Sequence, residues 1–246
     1  MALLRLIAKL EVKGNNVVKP ISFEGLRVVG QPEELAVRYA EGGADEIIFY
    51  DLATLYGRNQ LGPLLERTTA NVFIPVTVAG GVRSIDDVKR LLGSGADKVA
   101  INTAAIRDPS LISQCANRVG CQAVVVSIEA KKNRSGWEAY TDNGRERTGR
   151  DAVAWAKEAV ERGAGEILLT SIDRDGTRKG CDCELVAAVA PHVSVPVIAC
   201  GGVGSVFHVE QVISEGRADA VAMASYLHKG GSIAGLRAEL VKKSPD

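Results

Sequence analysis

Ile74-Pro75-Val76-Thr77-Val78-Ala79-Gly80-Gly81-Val82 is written again, 121 residues later, as Val195-Pro196-Val197-Ile198-Ala199-Cys200-Gly201-Gly202-Val203. Each copy is a short apolar run of strand character that stops on a glycine pair. Three further blocks recur in the same order at nearly the same spacing: Ala8–Lys13 as Val126–Lys131, Gly43–Ile48 as Gly163–Leu168, and Ala96–Ala100 as Ala218–Ala222. Four ordered blocks sharing one period mark a duplicated half, beyond the general likeness of one α/β unit to another.

Working outward from these blocks, strand-like runs fall at Leu3–Leu10, Glu46–Asp51, Ile74–Ala79, Lys98–Ile101, Ala123–Ile128, Glu166–Ser171, Val195–Cys200 and Ala218–Ala224. Helix-period segments follow most of them, at Gln31–Glu41, Ser84–Gly93, Asp108–Val119, Asp151–Arg162, Cys183–Ala190, Ser205–Glu215 and Ser232–Lys242. Ser84 with Asp87 three residues on is a capping-box pattern. Pro32 and Pro109 stand in first turns, where a missing N–H is harmless. Strand–helix alternation along the whole chain predicts an α/β fold with a parallel sheet. Eight units in this length predict a single (β/α)8 TIM barrel over residues 1–246, in half-barrels of about 1–120 and 121–246. The segments from Lys13 to Gly30 and from Lys131 to Gly149 are too long for simple turns. They follow the first and fifth strands and read as mouth loops of the lid kind.

Composition narrows the function. The 246 residues are 46% hydrophobic and 24% charged, as in an ordinary globular protein. Thirty basic and thirty acidic residues cancel, so neither nucleic acid nor an anionic membrane is an expected partner. Arg5 and Lys9 interrupt the first apolar stretch, which does not read as a signal peptide. Five scattered cysteines fit a reducing compartment, and a cytoplasmic location is expected. His192, His208 and His228 lack a second ligand at metal spacing, and Cys181-Asp182-Cys183 lacks a partner pair, so no metal is expected. No Gly-x-Gly-x-x-Gly or Walker-type loop is present, and no cofactor is expected.

The two glycine pairs carry the first chemical reading. Gly80-Gly81 and Gly201-Gly202 expose backbone N–H groups beside Asn102-Thr103 and Ala224-Ser225 at neighbouring strand ends. Either pair alone could be a tight turn. Two of them, related by the repeat, suggest phosphate seats half a barrel apart and a substrate with a phosphate at each end. Asp175-Gly176-Thr177 adds turn N–H groups to the second seat. Between the seats, Glu11 and Glu129 end the first and fifth strands as symmetry mates. They form a general acid/base pair, or else each orders its own loop. Lys9 points to the same side of its strand as Glu11 and, if buried, must be paired or else neutral. Asp51 is a further polar candidate at the mouth, and Lys19, in the first long segment, is a candidate for binding substrate or phosphate there. Near the opposite end, Arg5, Glu46, Lys98 and Glu166 start four strands; a charged ring there is either a plug or a gate.

Val17-Val18-Lys19, Asp97 through Ala105, and Gly163 through Thr177 resemble the cyclase subunit of imidazole glycerol phosphate synthase. The likeness runs from Arg5 to about His228. It implies a duplicated barrel with a glutaminase subunit docked at the N-terminal face. Ammonia crosses the barrel and meets a ribulosyl aminoimidazole carboxamide bisphosphate. The products are imidazole glycerol phosphate, for histidine biosynthesis, and an aminoimidazole carboxamide ribotide. By this resemblance Arg5, Glu46, Lys98 and Glu166 are the ammonia gate and Asp97 lies at the partner interface. Thr103, Gly176 and Ser225 then hold phosphate. The chain departs from the family at Glu11 and Glu129, where the family has aspartate, and at Lys9, where it has cysteine. It departs again at Pro20 and Ala79, where the family has glycine. Some relatives serve surface-sugar biosynthesis by conducting ammonia to an amidotransferase, and these departures fit that role as an alternative.

Overall fold

The computed structural model describes residues 4–21, 24–52 and 61–243. Its strands, in chain order, are β1 (Arg5–Lys13), β2 (Asn16–Ile21), β3 (Glu24–Gly30), β4 (Glu46–Asp51), β5 (Val76–Ala79), β6 (Lys98–Ile101), β7 (Val124–Asn133), β8 (Gly136–Thr141), β9 (Glu146–Asp151), β10 (Glu166–Ser171), β11 (Val197–Cys200) and β12 (Ala220–Met223). Eight of these pair in parallel in the order β10-β11-β12-β1-β4-β5-β6-β7, and β7 pairs with β10 to close the barrel. Closure leaves no barrel strand with a free edge. The crossovers carry α1 (Pro32–Glu41), α2 (Leu61–Thr69), α3 (Ile85–Gly93), α4 (Thr103–Arg107), α5 (Ser110–Val119), α6 (Ala152–Glu161), α7 (Cys183–Val189) and α8 (Val206–Ser214), and α9 (Ser225–His228) and α10 (Ile233–Lys243) follow β12.

Strand alternation divides the core in two. On β1, Leu6, Ala8 and Leu10 join the large cluster between barrel and helices, while Ile7 joins the smaller one inside. The inner cluster is made of small and medium residues such as Ala79, Ala100, Ala220 and Ala222, with Ile48, Leu168 and Ile198. Arg5, Lys9 and Glu11 share the parity of Ile7, so β1 sends two cations and an acid into the interior.

The repeat is visible in individual hydrogen bonds. Ile47 N–H donates to Pro75 O at 2.9 Å, and Ile167 N–H to Pro196 O at 3.0 Å. Those prolines trim two predicted strands, which begin at Val76 and Val197 instead of Ile74 and Val195, because proline has no N–H for the ladder. Asp45 accepts from Leu6 N–H at 2.7 Å, Asp97 from Val76 N–H at 2.8 Å and Asp219 from Val197 N–H at 2.8 Å. Each aspartate ties the start of one barrel strand to its neighbour. At the fourth equivalent position stands Gly165, where a Cβ would lie 2.1 Å from the Cys121 carbonyl oxygen. Gly165→Ala is therefore expected to lose about 1–3 kcal/mol of stability in urea denaturation, the usual scale of overpacking; an unchanged midpoint would contradict this contact.

The two long mouth segments differ from the reading of them as loops. β1 runs on to Lys13 and pairs antiparallel with β2, which pairs with β3. β7 runs on to Asn133 and pairs antiparallel with β8, which pairs with β9. Both are three-stranded ribbons rising from the barrel rim. Their turns, at Gly14 and at Arg134-Ser135, let the strand reverse and satisfy its own backbone groups beyond the barrel. Helix α2, absent from the sequence reading, buries Leu61, Leu64 and Leu65.

Candidate active site

The mouth is built where strands end. Gly80 and Gly201 both have φ of +96°, and a Cβ on either would meet the backbone of the preceding strand's end, Asp51 O at 2.5 Å and Ser171 O at 3.0 Å. Only glycine lets the chain turn so close to that strand. Gly80, Gly81, Asn102 and Thr103 line one cavity, of about 550 Å³, together with Tyr50 and Ser127. Asp175, Gly176, Gly201, Gly202, Ala224 and Ser225 line a second recess of about 10 Å³, and Lys9 reaches into its lining. The structure thus brings the predicted seat residues together as two groups, of unequal size. Asn102 Oδ1 and Ser127 Oγ, on residues lining the larger cavity, are buried with no hydrogen-bond partner among the described residues, as is Glu129 Oε2, two residues along the strand from Ser127. Such atoms are satisfied by ligand or water.

Glu11 and Glu129 both turn inward, 5% and 7% exposed. Their environments differ. Glu11 Oε2 accepts from Lys19 Nζ at 2.9 Å, and Lys9 Nζ lies 3.5 Å from Glu11 Oε1. Burial raises the Glu11 pKa, but Lys9, Lys19 and more distant His228 outweigh it, and the net shift is downward. Burial also works against the Lys9 ammonium. Cys200, Glu11, Asp175 and Glu129 around it outweigh burial, so Lys9 is raised above the ordinary lysine range and stays charged. Glu129 instead meets a phenol: the Tyr50 hydroxyl lies 2.6 Å from Glu129 Oε1. Here burial dominates over Tyr50, Lys9 and the Gly144 N–H, and with Asp175 nearby the pKa is raised. His228, hydrogen-bonded to the Tyr39 hydroxyl at 3.1 Å, is pushed down to about 4 by burial and is neutral.

The sequence reading named Asp51 at the end of β4 and missed Tyr50. Counting inward positions from Glu46 by twos reaches Ile48 and Tyr50, so the strand period alone selects Tyr50. Ser127 could have been found in the same way, two residues before Glu129.

At the other end the four charged residues form a closed ring. Arg5 reaches Glu166 at 2.7 Å and Glu46 at 3.3 Å; Lys98 reaches Glu46 at 2.8 Å and Glu166 at 3.0 Å. Thr77 Oγ1 donates to Glu46 Oε1 at 2.5 Å. Each acid meets both bases, so the signs alternate around the axis. Asp97 lies at this end as the strap on Val76 described above. Among the described residues no group of three or more His, Cys, Asp and Glu side chains could hold a metal. No helix among them is long and apolar enough to cross a membrane.

Comparison with known proteins gives the family. The family described as "Histidine biosynthesis protein" matches residues 5–232. The chain is 59% identical over 206 residues to "Imidazole glycerol phosphate synthase subunit HisF" of Legionella pneumophila, covering 83% of this chain and 97% of the relative. The like-named subunit of Myxococcus xanthus is 53% identical over 241 residues, covering 98% and 95%. That of Acidobacterium capsulatum is 50% identical over 242 residues, covering 98% and 96%. The chain belongs to the histidine biosynthesis protein family, among the HisF subunits of imidazole glycerol phosphate synthase.

Proposed function

We propose that residues 1–246 act as one duplicated barrel that performs the cyclase–lyase reaction of imidazole glycerol phosphate synthase. Ammonia from a glutaminase enters at the N-terminal end and reacts at the mouth with a ribulosyl aminoimidazole carboxamide bisphosphate. Imidazole glycerol phosphate and an aminoimidazole carboxamide ribotide leave. The observation that carries this reading is the placement of two buried carboxylates between two glycine-lined recesses, with a charged ring at the far end of the same axis. Gly80, Gly81, Asn102 and Thr103 seat one phosphate; Gly176, Gly201, Gly202, Ala224 and Ser225, with Asp175, seat the other. Backbone N–H groups suit this task because they present fixed dipoles without a bulky side chain. Glu11 and Glu129 move protons, and Lys19 holds Glu11 in place.

For the glutaminase, the N-terminal face is the docking surface in this reading. Ring residues Arg5, Glu46, Lys98 and Glu166 gate ammonia there. Asp97 stands on the same rim, as does Phe73, which is 90% exposed shortly before β5. Exposed aromatics are common anchors at protein interfaces.

The expected result is imidazole product formed by the purified chain from the bisphosphate and an ammonium salt, without a partner. Binding of the bisphosphate with no product would discard the cyclase reading. One observation favours the alternative of an ammonia-conducting subunit for an amidotransferase of surface-sugar biosynthesis: both oxygens of Glu11 face an ammonium. Stimulation of a glutaminase with no imidazole product would select it.

A further inference from the structure

The repeat pairs Glu11 with Glu129, and equal halves would give both acids equal neighbours. They do not have them. The same alignment pairs Lys9 with Ser127 and Tyr50 with Thr170. Around the acids, one half therefore carries an ammonium and a phenol where the other carries two small hydroxyls. Lys9 Nζ lies 4.7 Å from the centroid of the Tyr50 ring, a cation–π distance. Tyr50 lines the larger cavity and Lys9 the smaller recess, so the stacked pair stands between the two seats. In the ladder Tyr50 is beside Glu11, yet its hydroxyl reaches Glu129.

We propose that Lys9 and Tyr50 are positioning residues that make the two acids unequal, holding Glu11 as a fixed ion-paired carboxylate and leaving Glu129 as the carboxyl that carries the exchangeable proton. The use made of that proton rests on the cyclase reading; its location does not.

Hydrogen-bond accounting supports this division. The Tyr50 hydroxyl has one proton and two close oxygens, Glu129 Oε1 at 2.6 Å and Asn143 Oδ1 at 2.9 Å. It can donate to only one of them. A proton on Glu129 resolves the conflict: Glu129 donates to the phenol oxygen and the phenol donates to Asn143. Glu11 has no such neighbour. Its two oxygens face Lys9 and Lys19, which favour the ionised form. The groups facing Glu129 and its phenol are Lys9 from β1, Tyr50 from β4, Asp175 after β10, and Glu11 and Cys200 across the mouth. Asn143 and Gly144, from the turn between β8 and β9, add no titratable side chain. Among these groups the one fixed cation is shared, but only Glu11 holds a second lysine in hydrogen-bond contact.

The test is a carboxyl ¹³C NMR titration of the full chain labelled at glutamate, with the two resonances assigned by their loss in Glu11→Gln and Glu129→Gln. Two separate midpoints are expected, Glu11 below and Glu129 above the ordinary glutamate range. When Glu129 ionises, the phenol turns its proton toward it, and that charge-assisted bond is stronger than the neutral one. Tyr50→Phe deletes it, so the Glu129 midpoint is expected to rise by about one pH unit, a tenfold gain in proton affinity, with Glu11 unmoved. Lys9→Met, matched in length, is expected to raise the Glu11 midpoint toward that of Glu129. In turnover with ammonium, the alkaline limb of kcat should follow Glu129 upward in Tyr50→Phe while KM stays. Coincident midpoints in the unaltered chain, or a Glu129 midpoint indifferent to Tyr50→Phe, would overturn the proposal. The NMR midpoints report on the proton even if no imidazole product forms, so failure here is distinct from failure of the cyclase reading.

Discussion

Glu129→Gln is expected to lower ammonium-dependent turnover by about 10²–10⁴-fold, the range of a lost general acid or base. The amide keeps the shape and can still meet Tyr50, but it cannot give up or take a proton at the working pH. Glu129 Oε2 is buried without a hydrogen-bond partner among the described residues, which leaves that oxygen open to a substrate group. KM for the bisphosphate should change little, because the phosphate seats are on other strands. A variant that kept within threefold of full kcat would remove Glu129 from the chemistry. Glu129→Asp is the informative companion. It keeps the charge while drawing the carboxyl back by roughly 1 Å, and displacements of that size can shift rates about a hundredfold. If Lys9 and Tyr50 are tuned to the longer acid, the aspartate variant loses activity.

Lys98→Met should give the largest loss of stability. Glu46 is 1% exposed and Glu166 9%, and both are held by Lys98 as well as by Arg5. Without Lys98 two buried carboxylates share one guanidinium. Removing one partner of a buried pair typically costs about 3–5 kcal/mol, and partial exposure of the ring favours the low end. At about 2–4 °C per kcal/mol for a chain of this size, Tm should fall by roughly 6–12 °C. Lys98→Met combined with Glu166→Gln should recover part of that loss, since the residues share one network and their effects do not add. A Tm within 2 °C of the parent in the single variant would mean that water enters the ring and compensates the missing charge.

Both predictions depend on side chains whose positions were readable to different degrees. Glu11, Glu129 and the four ring residues follow from strand parity once the duplicated blocks are aligned, because a strand sends every second residue to the same side. The glycine pairs followed from the same blocks. Asp97 was read only through the family resemblance, and the backbone strap it shares with Asp45 and Asp219 is a property of the folded barrel. Helix α2 escaped notice because Gly62 and Pro63 interrupt its start, although Leu61, Leu64 and Leu65 keep the helical spacing. Proline in a first turn removes only an N–H that has no intrahelical acceptor. The two rim ribbons were read as loops because neither carries a clean period of two: in the first the buried Val17 and Val18 are adjacent, and in the second the buried side chains include Glu138 and Thr141, so hydrophobicity does not mark the inner face.

By itself the sequence determined the barrel, its duplication, and which side chains enter the axis at each end. These are consequences of periodicity, and periodicity is local. The unequal fates of Glu11 and Glu129 were decided only by tertiary structure. Lys9, Lys19, Tyr50 and Asn143 come from different strands and ribbons, and which of them reaches which carboxylate depends on ring closure and strand stagger. Charge and hydrogen bonding fall off over a few ångströms, so proximity across the barrel, which no local pattern encodes, sets where the proton resides.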